Sequence, residues 1–312
     1  MEIKDVLIIG GGPGGLSASI YCVRNGLRTL VIEKGMCGGL VSEAPWIENY
    51  LGFEGLKGIN LAEKFKDHAL KYADINEFEE VLNIEQNDTG FTVKTDKAAY
   101  ETRALILATG SRHSKLNIPG EEEFHGKGVS YCATCDGFFF REKRVLVVGG
   151  GNSAVMDAIH LHDIGCRVSL IHRKNELRAE CALKDAIQER GIEIIWNSVL
   201  EEISAEGSEK LVRTRNLSTG EDRDERFDGI FISVGEIPNN RLAVEMKLEM
   251  DEKGYVKTDR FQRTNMHNVY AVGDITGGVK QIIVACGEGA VAALAAFEEL
   301  INPYWNTCKV TT

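Results

Sequence analysis

Short apolar runs punctuated by glycine organise the chain. Val6-Leu7-Ile8-Ile9 leads straight into glycines, a stretch of helical character from Ser17 to Asn25 follows, and a second apolar run stands at Thr29-Leu30-Val31-Ile32. Unbroken apolar runs of this length, bounded by turn residues, predict buried strands, and the succession predicts a βαβ unit. The grammar returns at Val145-Leu146-Val147-Val148, with glycines, a helix through about Asp163, and Val168-Ser169-Leu170-Ile171. The two copies lie about 139 residues apart and predict two lobes of one type.

Between and after these units the pattern changes. Leu61, Phe65, His68 or Ala69, and Tyr72 recur at helical spacing over 59–72, and Asn60 with Glu63 predicts a capping pair. His68 on that helix reads as a packing or surface residue. The β-branched and aromatic content from Phe78 to Tyr100 predicts a small antiparallel sheet. Two further strands, Leu105 to Gly110 and Ile230 to Gly235, are each followed by Ile-Pro, at Ile118-Pro119 and Ile237-Pro238. Proline fixes φ and restricts the residue before it. The matched pair therefore predicts crossings between a discontinuous domain (1–117 and 242–312) and an inserted one (118–241). The expected class is α/β, with two three-layer domains of Rossmann type. Gln281 to Phe297, broken by Glu288, predicts a buried helix.

The 312 residues include 47 acidic and 36 basic ones, a formal net charge of −11. That balance disfavours binding to nucleic acid, which needs clustered positive charge, and recruitment to anionic membrane. Thirty-three glycines against five prolines suit tight strand-to-helix turns. The eight cysteines, at 22, 37, 132, 135, 166, 181, 286 and 308, are dispersed. With Met1-Glu2-Ile3-Lys4-Asp5 leading directly into a strand, no secretory leader is expected, so the reading is a cytoplasmic chain rather than a secreted disulfide scaffold.

The glycine runs carry the first chemistry. Gly10-Gly11-Gly12-Pro13-Gly14-Gly15 contains the G-x-G-x-x-G spacing, and Glu33-Lys34 ends the second strand, with Glu33 standing 23 residues after Gly10. The spacing permits a tight turn, backbone approach to a pyrophosphate and close helix packing, with the helix N-terminus favouring the anion. A carboxylate at Glu33 can bond an adenosine ribose and would repel a 2′-phosphate. In the second run, Gly149-Gly150-Gly151-Asn152-Ser153-Ala154, alanine takes the third position, which predicts a helix set slightly farther from its strand. No acid ends the next strand; His172-Arg173-Lys174 and Arg178 stand there instead. Basic groups at that place suit a 2′-phosphate and point to NADP(H) over NAD(H), the alternative being a solvated basic turn.

Tyr131-Cys132-Ala133-Thr134-Cys135-Asp136-Gly137 holds the only close cysteine pair. A zinc site would need two further ligands at comparable spacing, so no metal is expected. The two-residue spacer allows a reversible disulfide with activated thiols, and Asp136 could move a proton to or from a thiolate; an inert buried pair is the alternative. Cys37 beside the first glycine turn and Cys308 near the C-terminus are minor candidates for accessory thiol chemistry.

From Val6 to about Phe297 these motifs, in this order, resemble the low-molecular-weight thioredoxin reductases, FAD- and NADPH-dependent dithiol enzymes. The most specific element is Cys132-Ala-Thr-Cys135-Asp136-Gly-Phe-Phe, placed just before the second glycine run. The resemblance implies FAD on the first run, in a domain made from both chain ends. It adds to that site Gly39 and Leu40, Asn49, Val81 as the backbone contact to adenine, and Thr109-Gly110. It also adds Gly273-Asp274 near the ribityl chain and Lys280-Gln281-Ile282 near the isoalloxazine. Departures from the family pattern include Gly38-Gly39-Leu40-Val41 without the usual glutamine, Lys280 for arginine, Ile282 for alanine, Asn152 for aspartate, Met156-Asp157 for a Glu-Glu pair, and Lys174 for the second arginine of the basic motif. Lysine keeps the charge but loses bidentate geometry.

The resemblance implies transfer from NADPH through FAD to a Cys132–Cys135 disulfide, then exchange with thioredoxin or another thioredoxin-fold protein. In that scheme Cys135 faces the flavin, Cys132 attacks the partner, Asp136 handles the proton, and the enzyme is a homodimer. If nicotinamide and cysteine pair share one flavin face, the inserted lobe must rotate about the Pro119 and Pro238 crossings. Other readings stay open at this level: a reduced deazaflavin or other donor, a dithiol oxidase, or a non-catalytic redox-sensing flavoprotein.

Overall fold

The computed structural model describes residues 3–44, 46–206 and 209–301. Two compact units divide the chain: Met1–Arg112 with Ile237–Thr312, and His113–Glu236 between them. The first crossing falls a little before Ile118-Pro119 and the second at Ile237-Pro238.

The first unit opens with β1 (Lys4–Ile9), α1 (Pro13–Arg24) and β2 (Thr29–Ile32), and β1 and β2 pair in parallel. After α2 (Gly58–Ala69), β3 (Asp74–Asn76) extends the sheet beyond β2. β4 (Val81–Asn87) and β5 (Gly90–Thr95) form the antiparallel hairpin. It does not stand apart as the small sheet expected over 78–100. β6 (Ala99–Leu107) pairs antiparallel with β5 through its first residues and parallel with β1 through its later ones, so one sheet contains both. The length of β6 makes this possible: its start is half-buried, and Ala104 to Leu107 are fully enclosed. β7 (Ser111–His113) then leads out of the unit.

α2 starts differently from expectation. Its N-cap is Lys57, no side chain caps it, and Asn60 and Glu63 make no capping pair. Gly58 sets the start, because a Cβ there would overlap the Val41 and Ala44 carbonyls. His68 is exposed on α2, its ring edge-on to Tyr72.

The inserted unit contains β8 (Val129–Ser130), α3 (Ala133–Asp136), β9 (Arg144–Gly149), α4 (Asn152–Asp163), β10 (Arg167–Ile171), α5 (Cys181–Glu189) and β11 (Glu193–Ile195). After them come β12 (Ser198–Glu206), β13 (Glu209–Asn216), β14 (Asp222–Phe227), β15 (Gly229–Ser233) and the exit strand β16 (Glu236–Pro238). The order β11-β10-β9-β15-β8 is parallel throughout. A second sheet, β12-β13-β14, is antiparallel and has no counterpart in the sequence reading.

The chain then returns through α6 (Arg241–Glu245), β17 (Val269–Ala271) and α7 (Ile282–Ile301), with β17 parallel to β6. Alternate residues of the buried strands serve two cores: Leu7 and Ile9 pack on one face of the sheet, Val6 and Ile8 on the other with Ala292 and Ala296 of α7. α7 is one-sided rather than wholly buried. Ala285, Gly289, Ala292 and Ala293 are enclosed, while Ile283 and Leu294 are exposed. Small residues let α7 lie against α1: a Cβ on Gly289 would overlap the Gly14 carbonyl, and Ser17 Oγ donates to the Cys286 carbonyl at 2.7 Å. Among the described residues, no helix is long and apolar enough to cross a membrane.

Candidate active site

In the first glycine turn each glycine has a separate reason. Gly10 has φ 110°, and a Cβ there would overlap the Ala108 carbonyl; a Cβ on Gly15 would overlap Gly10. At Gly12 a Cβ would meet nothing within 4 Å, so this is open space beside the helix start. Pro13 sits at the first position of α1, whose N-terminus no side chain caps. Gly14 lies against Val272 and Ala285. The Glu33 carboxylate accepts the Gly11 N–H at 2.6 Å and the Gly35 N–H at 2.8 Å. Lys34 and Gly39 are exposed and Leu40 half-buried, with the Gly38 N–H donating to the Gly11 carbonyl at 2.9 Å.

Other predicted residues are tied to the same unit. Asn49 Nδ2 donates to Gln281 Oε1 at 3.1 Å, joining two segments 232 residues apart. Thr109 exchanges hydrogen bonds with Asn239, whose backbone N–H reaches the Gly110 carbonyl at 3.0 Å. Asp274 Oδ2 accepts from Ser111 Oγ at 3.3 Å, and the Gly273 N–H donates to Glu288 Oε2 at 2.6 Å. Lys280 Nζ donates to the Tyr255 hydroxyl at 2.8 Å. Ile282 opens α7 and packs on the cluster around Val41 and Leu61. Val81, at the start of β4, is buried, and its carbonyl accepts from Arg241. Asn239, Ser111 and Glu288 were missed from the sequence. Glu288 had a visible signal, as the acid interrupting an apolar helix; burial raises its carboxyl above the usual range, and the Asp274 carboxylate adds to that.

The second turn repeats the first. A Cβ on Gly149 would overlap Ser233, and at Gly151 it would meet nothing within 4 Å. The Ala154 methyl occupies the space over Gly149 that a Cβ would take. Asn152 donates to Glu180 Oε1 at 2.8 Å and accepts the Glu180 N–H at 3.0 Å, while Ser153 is exposed. The Arg178 N–H donates to the Gly150 carbonyl at 2.8 Å, which brings the basic segment to the glycine turn. The side chains of Arg173, Lys174 and Arg178 are exposed and form no ion pair among the described residues. His172 is placed otherwise. Its ring is buried beneath Gly150, and burial, with the Arg178 and Arg173 cations adding to it, holds it below its ordinary 6.5.

Cys132 and Cys135 are bonded to each other, with their Cα atoms 5.3 Å apart. α3 makes that approach by carrying the chain through one short turn between them. Both cysteines are half-buried, and Thr134 Oγ1 lies 3.4 Å from Cys132 Sγ. Asp136 is buried, and burial raises its carboxyl against the opposing effects of the Ser130 hydroxyl and the His125 ring. Of the free cysteines among the described residues, Cys181 is exposed, Cys286 is half-buried, and Cys22, Cys37 and Cys166 are buried. Burial pushes Cys37 up to about 12, helped by Glu77 and Glu33, and Cys22 also rises to about 12. Cys308 lies outside the described residues. Among the described residues no group of three or more His, Cys, Asp or Glu side chains stands close enough to hold a metal.

Two glycine turns with open second positions, and a disulfide backed by a buried acid, are the parts of a nucleotide-dependent disulfide oxidoreductase. Comparison with known proteins agrees: the family described as pyridine nucleotide-disulphide oxidoreductase matches residues 4–289. The chain belongs to that family. This disulfide oxidoreductase is 40% identical over 295 residues to the thioredoxin reductase of Treponema pallidum, covering 94% of this chain and 95% of the relative. It is 38% identical over 295 residues to that of Listeria monocytogenes, covering 93% and 92%. The crystal structure of thioredoxin reductase from Streptococcus pyogenes superposes with a TM-score of 0.90 at 36% identity, over 96% of this chain and 99% of that one. The enzyme is thus a flavoprotein disulfide oxidoreductase in fold and family, with two dinucleotide-binding domains.

Proposed function

We propose that this enzyme is a thioredoxin reductase that binds FAD on the first glycine turn, takes electrons from NADPH on the second, and passes them through Cys132–Cys135 to a thioredoxin-fold disulfide. The observation that carries the reading is the closed Cys132–Cys135 pair beside buried Asp136, in the same unit as a glycine turn flanked by Arg173, Lys174 and Arg178. The residues fit the cofactors. Gly12 and Gly151 leave open space where a pyrophosphate would approach, and Glu33 is fastened to the first turn where a ribose would lie. Gly39, Leu40, Asn49, Thr109, Gly110, Asp274, Lys280, Gln281 and Ile282 complete the FAD reading, and Asn152, Ser153 and Ala154 the NADP reading. His172 enters it as the support under Gly150.

Bound FAD supplies the two-electron step between nicotinamide and disulfide. The chain's own residues do the rest. Cys132 attacks the partner's disulfide, Cys135 resolves the mixed disulfide by closing the ring again, and Asp136 exchanges the proton that accompanies thiol and thiolate. In this reading the domains are 1–117 with 242–312 for FAD and 118–241 for NADP(H), and the enzyme is a cytoplasmic homodimer.

Anaerobic titration of the FAD-loaded protein with NADPH, NADH and reduced deazaflavin, each in turn, tests the reading. Bleaching of the flavin by NADPH, and return of colour on adding oxidised thioredoxin, is expected. Bleaching by deazaflavin alone would overturn the donor, and colour unchanged by thioredoxin would overturn the acceptor.

A further inference from the structure

The side chain that ties the acid to the disulfide is Ser130. It ends β8, held in the sheet by Phe231 of β15. Ser130 Oγ donates to Asp136 Oδ2 at 2.7 Å and accepts the Cys132 backbone N–H at 3.0 Å. One hydroxyl therefore fixes the acid and the first cysteine of the pair together. A second link runs the other way, from the Asp136 N–H to the Cys132 carbonyl at 3.1 Å. The other carboxylate oxygen, Asp136 Oδ1, is buried and has no hydrogen-bond partner among the described residues. A buried carboxylate oxygen without a donor is costly, whereas a carboxyl that keeps its proton there is not.

We propose that Ser130 is a positioning residue for proton transfer at the dithiol, holding Asp136 by Oδ2 so that Oδ1 carries and delivers the proton. The assignment rests on the disulfide-reductase reading. Two-electron reduction breaks the S–S bond and leaves two sulfur anions; a trialkylphosphine supplies the electron pair and, taking the oxygen of one water, leaves as the phosphine oxide with two protons released to solvent. One anion takes the Asp136 proton, so the products are a thiol, a thiolate and the Asp136 carboxylate, which Ser130 continues to hydrogen-bond. The ionisable side chain set against Asp136 is the His125 ring, from the loop before β8, and the bonded pair adjoins Asp136 in the chain through Cys135. Apolar Leu161 of α4 and Ile164, just beyond its end, lie against Gly137 of this turn.

The test uses the full FAD-loaded protein reduced by tris(2-carboxyethyl)phosphine, without NADPH or thioredoxin. The rate of Cys132 alkylation by iodoacetamide is followed against pH by site-resolved mass spectrometry. Wild type is expected to show a limb set by Asp136 that Asp136→Asn abolishes. Ser130→Val removes the donor to the carboxylate and should move that limb up by about one pH unit. Ser130→Thr keeps a hydroxyl in the same shape and should leave it in place. Ser130→Ala replaces the valine variant if the latter fails to retain flavin. A limb unmoved in the variants lacking the hydroxyl, or one that survives in Asp136→Asn, overturns the assignment. Failure of the wild-type protein to reduce thioredoxin, with the shift in Ser130→Val still present, would overturn the functional reading and leave the Ser130 assignment standing.

Discussion

Asp136 shows how far one residue's position changes its chemistry. From its neighbours in the chain it is only a carboxylate next to a cysteine; enclosed beside Ser130, it is an acid that holds its proton above the ordinary 3.8. This has a consequence for stability. The unfolded chain loses the Asp136 proton near 3.8, whereas the folded chain keeps it to higher pH, so the group's contribution falls as pH rises between those two values and is flat above the second. Asp136→Asn should therefore melt at higher temperature than wild type at neutral pH, with the difference vanishing below the ordinary carboxylate range, while disulfide exchange slows. Thermal melts across pH check the first part and thioredoxin turnover the second. Equal shifts at acid and neutral pH would contradict it. Cys37 makes the opposite point. Its place beside the first glycine turn suggested accessory chemistry, but burial near Glu77 and Glu33 leaves it a neutral packing residue at working pH.

At the scale of elements, the glycine turns were the most legible part of the chain, because a strand-to-helix turn needs particular backbone geometry and few residues can supply it. The structure separates two roles that the spacing alone merges. Gly10 is required by backbone, with φ 110° and the Ala108 carbonyl in the way, whereas Gly12 faces open space. Gly10→Ala should destabilise the fold by about 2–4 kcal/mol. Gly12→Ala should leave the melting temperature of the flavin-free protein near wild type and still weaken flavin retention. Calorimetry of apoprotein and flavin content after gel filtration distinguish them. The antiparallel sheet β12-β13-β14 was illegible for a physical reason. Its strands are rich in charge because one face carries cross-strand ion pairs, such as Arg213 with Glu202 and Asp224, and even its buried residues include Lys210 and Thr214. Apolar alternation, the signal for a strand, is therefore faint there. The start of α2 was misread in a similar way, since packing of Gly58 on Val41 and Ala44, not a side-chain cap, begins the helix.

The whole molecule is one unit interrupted by another. His113–Glu236 is contiguous and carries its own cores, one around Val145, Leu161 and Phe231 and one around Leu146, Ile171 and Ile230. Expressed alone, that segment should fold with a cooperative thermal transition and bind NADPH without flavin. Met1–Arg112 alone should not fold, because α7 and β17, from beyond the insertion, complete its sheet and cover its α1. Circular dichroism melts of the two fragments check both outcomes. The chain's local order determined the repeated βαβ units, the glycine turns, the close cysteine pair and the cations after β10, since each depends on residues near one another in sequence. Only tertiary structure decided that β6 joins hairpin and parallel sheet, that His172 lies beneath a glycine turn, that Asn49 meets Gln281, and that Ser130 binds both Asp136 and Cys132. Those outcomes depend on burial and on which groups, whether distant in sequence or turned toward one another by a local turn, the fold brings within hydrogen-bond reach.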